Sequence, residues 1–386
     1  MSFLKHFFEK FVIFFRSQKN KRPFWLLTFI LFVFLGIGSS FIFFQKEIVF
    51  STKIQKIAQG EIAEKQEAIT QKEELLPRFL DGVLVKKGQE TLRPIAVMID
   101  NLSIARPQDG IGKASLVIEA PVEGGITRFL AFFSSSEDDD IHVGPVRSIR
   151  PYFVDFAEEV SAMVAHVGGS PQGLKAIQEA KKIIDADDIG GRDYFWRIQE
   201  RFAPHNMYGS IQKLRQYIVS GGHEQNVNFE MWSYRDELDD VFISEQEVSE
   251  PFIVFLPISN EVLWKYDVKS RSYIRYKKTP SDRWIKDLDR DDQEIQAKNV
   301  ILVSMKMWIL DDIGRRAFET LGQGKAQIFS GGKIFSDTIW KKSSKESRIQ
   351  FYDFAGKDIS LLRGTTWIEI IPSWGVEHGI APKNLF

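Results

Sequence analysis

Arginine, carboxylate and histidine residues crowd into one stretch, from Asp100 to His205, and these are the residue types that hold anions or move protons. Arg128 precedes the apolar run Phe129-Leu130-Ala131-Phe132-Phe133, and Arg147 and Arg150 flank Ser148 just before Pro151. Guanidinium forks ahead of a helix start suit phosphate, carboxylate or sulfate, because free N–H groups and the helix dipole add to their charge. The alternative is that these arginines pair with Glu119, Glu123 or Asp155 inside the fold, since a buried arginine implies a partner or a ligand. Asp100 and Glu119 lie at predicted strand ends, and Glu123 precedes paired glycines. Carboxylates so placed bind Mg²⁺, act as general base, or neutralise the arginines. His166 ends an apolar run, and His205 lies in Ala203-Pro204-His205-Asn206. Each is either a proton carrier or a structural histidine, and their spacing is not that of a zinc site, so no metal is expected. Gly168-Gly169-Ser170-Pro171 lets amides converge while Ser170 caps a helix. It lacks the lysine and spacing of a P-loop, and an ordinary tight turn shares its pattern. The candidates are therefore Asp100, Glu119, His166 and His205 for proton chemistry, and Arg128, Arg147, Ser148, Arg150, Gly168, Gly169 and Ser170 for an anionic ligand.

The elements that must position them are legible as apolar runs. Ile95-Ala96-Val97-Met98-Ile99, Leu116-Val117-Ile118 and Phe129 to Phe133 read as buried strands. Pro151 opens a helix with Phe153, Phe156, Ala157 and Val160 on one face, and Ala162 to Val167 is a strand leading into a helix from Gln172. A shorter strand follows at Lys182 to Asp185, and Ser210 can cap a helix carrying Leu214, Tyr217 and Ile218. Strands alternating with helices predict an α/β domain over 77–244. Beyond Glu245 the runs are short and β-like, as in Phe252-Ile253-Val254-Phe255 and Thr366-Trp367-Ile368-Glu369-Ile370-Ile371, with polar turns between them. They predict a smaller, mainly antiparallel β domain over 245–386. Its aromatic residues read as core, or as a platform for a glycan.

Phe24 to Phe44 is apolar without a charged residue. Roughly 20 apolar residues cross the ~30 Å hydrocarbon layer, so 24–44 is predicted to be a single transmembrane helix. Lys5, Lys10, Arg16, Lys19, Lys21 and Arg22 precede it, and fewer cations follow, which places residues 1–23 in the cytoplasm and the bulk of the chain outside. Phe3, Leu4, Phe7, Phe8 and Phe11 suggest that 1–23 lies in the inner interface. Residues 45–76 read as a polar stalk. A cleaved signal peptide would need a small-residue site after a shorter run; Gly36 to Ser40 offers one, but the run continues through Phe44, which favours an uncleaved anchor. The chain has no cysteine, which excludes disulfides, thiol chemistry and a lipidated anchor. A net charge of −1 gives no electrostatic case for nucleic acid.

Several stretches also match a known pattern: Arg93 to Asn101, Ala105-Arg106-Pro107-Gln108, Glu123 to Ala131, Gly144-Pro145-Val146-Arg147-Ser148 with Arg150, Gly168 to Gln172, Ala203 to Asn206, and Gly364 to Ile368. In these the chain resembles the YerB-like family of bacterial envelope lipoproteins, a two-domain family of unknown function, from about Arg93 to Pro372. The resemblance implies an envelope address and a separate C-terminal domain, and it supplies no reaction. Many relatives use a lipidated cysteine, and here the apolar run must serve instead. A weaker likeness, as analogy only, is to the LytR–CpsA–Psr enzymes, which place arginines and acids around a polyprenyl pyrophosphate. The order of Arg128 and then Arg147-Ser148-Ile149-Arg150 is similar to theirs, although the motif is not theirs.

The expectation is thus a membrane-anchored extracytoplasmic protein that binds an anionic cell-wall glycan or lipid-linked phosphate. One alternative is a scaffold for an envelope protein partner. Another is a glycan hydrolase using two carboxylates ~5–10 Å apart. The residues name no cofactor and leave catalysis open.

Overall fold

The computed structural model describes residues 28–38, 44, 45, 50, 53, 74–134, 140–188, 193–236, 249–255, 260–279, 281–373 and 376–380. The chain divides into two units, 1–73 and 74–386. In the first, residues 28–38 are helical and Phe29, Phe32 and Phe34 are exposed. Residues 24–27 and 39–43 of the expected span 24–44 lie outside the described residues. The interfacial segment 1–23 and most of the stalk lie outside them. Among the described residues no helix is long and apolar enough to cross a membrane. The second unit begins at Glu74, ahead of the expected Pro77, because Leu75–Pro77 pairs antiparallel with Leu84–Lys86.

The apolar runs become β1 (Ile95–Asp100), β2 (Leu116–Pro121), β3 (Thr127–Phe133), β4 (Met163–His166) and β5 (Ile184–Asp187). Three helices accompany them: α1 (Pro151–Glu158), α2 (Pro171–Glu179) and α3 (Ile211–Ser220). Proline at the first turn opens α1 and α2, where its missing N–H is not needed. Ser170 Oγ accepts from Gly173 N at 3.0 Å, and Ser210 Oγ accepts from Lys213 N at 3.1 Å, so both predicted caps form.

The remainder contributes β6 (Pro251–Phe255), β7 (Asn260–Asp267), β8 (Ser272–Lys278), β9 (Trp284–Lys286), β10 (Gln296–Ala297), β11 (Asn299–Met305), β12 (Gly322–Ser330), β13 (Lys333–Lys342), β14 (Gln350–Asp353), β15 (Thr366–Pro372) and β16 (Val376–Ile380). A ten-stranded sheet runs β14-β13-β12-β11-β15-β2-β3-β1-β4-β5, and a six-stranded sheet runs β9-β8-β7-β6-β16 with β10 beside β8. Pairing is antiparallel within β6–β9 and β11–β14, except that β15 lies parallel between β11 and β2. The ten-stranded sheet therefore takes strands from both sides of the expected 244/245 boundary. The reason is burial: β15 and β2 are buried at every residue and need a neighbour on each edge and a cover on each face.

Alternation along the strands divides the core. Ala96, Met98, Ile118, Leu130, Val164 and Ile368 face α1 and α2, meeting Phe153, Phe156, Val160 and Ile177. Ile95, Val97, Val117, Phe129 and Trp367 face the six-stranded sheet and α3, meeting Ile253, Val262, Trp264, Tyr273 and Leu214. The same parity carries Asp100, Arg128 and His166 to the helical side and Glu119, Thr127 and Glu369 to the opposite side.

Candidate functional site

Strands β1, β4 and β5 are parallel, so their C-terminal ends lie together, the usual ligand-binding edge of such sheets. The segment before α1 folds back over this edge. Asp100 N donates to Pro145 O at 2.9 Å, Arg147 N to Met98 O at 2.9 Å, and Val167 N to Arg147 O at 3.1 Å. Arg147, Ser148 and Arg150 are thereby set over the ends of β1 and β4. The Arg106-Pro107, Gly144-Pro145 and Ala203-Pro204 peptide bonds in the surrounding loops are cis.

Asp100 closes β1 and is 1 % exposed. Its Oδ2 accepts a hydrogen bond from His205 Nδ1 at 2.7 Å, and Oδ1 accepts from Leu102 N at 3.1 Å. A carboxylate only accepts, so Nδ1 carries the hydrogen and Nε2 is the nitrogen left to exchange a proton. Nε2 makes no hydrogen bond to the described residues, and the ring is 17 % exposed. Arg147 Nε lies 3.1 Å from the same Oδ2 as an ion pair, and Nη1 donates to Pro204 O at 3.3 Å. Its Nε is buried against that carboxylate, Nη2 makes no hydrogen bond to the described residues, and the side chain is 19 % exposed, so Nη2 is the group Arg147 retains for a ligand.

Behind this pair, Arg150 grips Glu123 with both arms of its fork and donates to Ile149 O at 2.9 Å. Burial alone would raise the Glu123 carboxyl, but the hydrogen bonds and charge of Arg150 outweigh it and hold the group at about 2. Arg128 donates to Ser148 O at 2.8 Å and lies 3.7 Å from Glu123, while its buried Nε has no partner. Burial, and then the neighbouring Arg150, push its guanidinium down to about 10. Three guanidinium groups thus share two carboxylates, and an anion would relieve the excess positive charge.

The other predicted residues are placed elsewhere. Glu119 is on the opposite face, fully buried, accepting from Asn101 Nδ2 at 3.1 Å, Thr127 Oγ1 at 2.5 Å and Arg275 Nη2 at 2.7 Å. Asp100, Glu119 and Glu123 are each locked to a different arginine. That arrangement counts against hydrolysis by paired carboxylates, which requires two acids across one groove. His166 is buried, with Nδ1 2.8 Å from Gly168 O and Nε2 2.9 Å from Asp185 Oδ1. Both ring nitrogens are engaged by these neighbours within the fold. Ser148 Oγ donates to Val167 O at 2.9 Å. Gly168 N donates to Asp187 Oδ1 at 2.9 Å and Ser170 N to Ile149 O at 3.2 Å, so these amides serve the fold. Gly168 has φ +61°, and a Cβ on Gly169 would come within 2.7 Å of Ile149 Cγ2, so the glycines answer to backbone shape and close packing.

Sequence reasoning missed the buried network on the far face. Arg275 bridges Glu119 and Asp287, with its guanidinium 5.3 Å from the Trp367 ring centre. Burial would lower its pKa, but Glu119 and Asp287 overcome this and raise it. Glu369 stands in register with Glu119 and accepts from Trp264 Nε1 at 3.0 Å. Burial and then Glu119 push its carboxyl well above the ordinary carboxylate range. The signal was a charge inside an apolar run, as in Tyr273-Ile274-Arg275-Tyr276 and Ile368-Glu369-Ile370. Among the described residues no group of three or more His, Asp or Glu side chains could hold a metal. A cleft of about 580 Å³ is lined by Gly112, Lys113, Asp289 and Lys298 among others, and none of its lining residues belongs to the Asp100 cluster.

Two family models match in order: the N-terminal domain of the protein of unknown function DUF3048 over residues 80–224, and its C-terminal domain over 253–368. The chain is 30 % identical over 320 residues to "Putative lipoprotein YerB" of Bacillus subtilis (strain 168), covering 80 % of this chain and 90 % of the relative. The crystal structure of YerB protein from Bacillus subtilis superposes with a TM-score of 0.67 at 29 % identity, covering 79 % of this chain and 99 % of that one.

Proposed function

Because the chain belongs to the two-domain DUF3048 family of unknown function, we propose that it is a membrane-anchored envelope protein that binds an anionic, phosphate-bearing ligand at the Asp100–Arg147–His205 cluster. The name of its Bacillus relative supports the address. This chain has no cysteine to carry a lipid, so the apolar run Phe24 to Phe44 serves as the anchor, with the N-terminus in the cytoplasm.

The observation that carries the binding reading is the charge balance: among the described residues, Arg128, Arg147 and Arg150 form ion pairs with Asp100 and Glu123 alone, and Arg147 Nη2 makes no hydrogen bond. Arg147 takes the anion, Arg128 supports it from behind, and His205, oriented by the buried Asp100, is the group able to exchange a proton with it. Titration of residues 74–386 with a polyprenyl phosphate tests this. Arg147→Ala is expected to weaken binding at least tenfold, in line with the ~1.5–3 kcal/mol of a hydrogen bond to a charged group. Equal affinity in both proteins rejects the role.

One observation favours a second reading, a scaffold for a wall-synthesis protein. The hairpin Met307–Ile309 with Arg316–Phe318 leaves Trp308, Ile309 and Ile313 exposed at its tip. A photocrosslinker at residue 313 that captures a defined partner in membranes, with no ligand bound at Arg147, would favour the scaffold.

A further inference from the structure

We infer that the anion taken by this site is carried on an apolar tail, and that Ile104 and Phe202 receive the tail. The inference rests on the anion-binding reading above and narrows it from any phosphate to an amphiphilic phosphate ester.

Phe202 is 88 % exposed and Ile104 is 62 % exposed. Each is a short turn away from the charged pair. Phe202 O accepts from His205 N at 2.9 Å, and Ile104 lies in the turn Ser103–Ala105 that follows Asp100 and Leu102. The two turns are clipped together by one side chain. Arg201 Nη1 donates to Ala105 O at 2.6 Å and to Tyr208 OH at 2.9 Å, and Arg201 Nη2 donates to Pro107 O at 2.7 Å. A phenylalanine and an isoleucine are therefore presented to water from a backbone held in place, where neither adds to the core.

An isolated exposed apolar residue needs no explanation. Two on clipped turns, beside a cluster whose arginines outnumber its carboxylates, make one surface with a cationic centre and an apolar lip. Its complement is a phosphate head, matched to Arg147 by charge, joined to a hydrocarbon chain. A purely polar phosphate polymer would engage the arginines and leave Ile104 and Phe202 in water. Covering one such side chain is worth tenfold or more in affinity.

The test uses residues 74–386, a compact unit with its own apolar cores. Calorimetric titration compares methyl phosphate, geranyl phosphate and geraniol, all below micelle-forming concentrations. Wild type should bind geranyl phosphate at least tenfold tighter than methyl phosphate, and tighter than geraniol by a similar factor. The double variant Ile104→Ser, Phe202→Ser should lose the preference for geranyl phosphate while methyl phosphate binding is unchanged. Both changes are at exposed sites and should leave the unfolding midpoint in place. If wild type binds the two esters equally, the tail inference falls and the anion reading stands. If it binds geraniol as tightly as geranyl phosphate, the amphiphile falls together with the phosphate role. If it binds none of the three, both fall.

Discussion

At the scale of single residues, the site depends on which acid meets which base. Asp100 holds Arg147 and His205 on one carboxylate, and Glu123 is committed to Arg150 by a two-armed fork. The depressed Glu123 carboxyl makes stability depend on pH. Its folded value of about 2 lies below the ordinary 4.5, so its contribution is complete above about 4.5 and is lost as the pH falls toward 2. Glu123→Gln should be less stable than wild type at neutral pH, and the difference should close over that window. Urea midpoints at pH 7, 4.5 and 2.5 check this; a gap that stays constant with pH would show that the fork contributes no titratable stability. His205 and Asp100 could be singled out from sequence as candidates, but not as partners. They are 105 residues apart, and no periodicity links them.

At the scale of elements, strand parity separates two charge systems that the sequence runs together. Asp100 ends β1 on the parity that faces the helices, whereas Glu119, inside β2 rather than at its end, has the parity that faces the second sheet. The far-face system clamps β8 onto the ten-stranded sheet through Arg275, which Glu119 and Asp287 hold from both sides. Replacing Arg275 by Met takes the ion-pair partner from buried Glu119 and leaves Asp287 to Lys277, and should cost about 3–5 kcal/mol of unfolding free energy. The additional change Glu119→Gln should recover part of that loss, as measured by urea denaturation. A loss below about 1 kcal/mol would mean that the clamp is replaceable by packing alone. The strands and helix starts were readable because their causes are local: apolar runs, Pro151, and the caps Ser170 and Ser210. The facing of the strands was not, because parity needs a neighbour to give it direction.

At the scale of the molecule, the folded unit 74–386 is tied through its centre by the parallel pair β15 and β2. Residues 74–244 and 245–386 expressed separately should each lose cooperative unfolding, since each half would expose the edge and the Trp367–Phe129 contact that the other covers. Co-expression should restore a single transition. A sharp urea transition in either half alone would show that the boundary is real in folding terms. By itself the sequence determined the apolar N-terminal run, the main strands and helix starts and the list of candidate residues, because each follows from residue type within a few positions. Only the tertiary structure decided that Glu119 and Asp100 serve different faces, that Arg147 shares a carboxylate with His205, and that Arg201 clips the turns carrying Ile104 and Phe202 together. Those outcomes follow from strand order and loop return, which join residues that no local pattern relates.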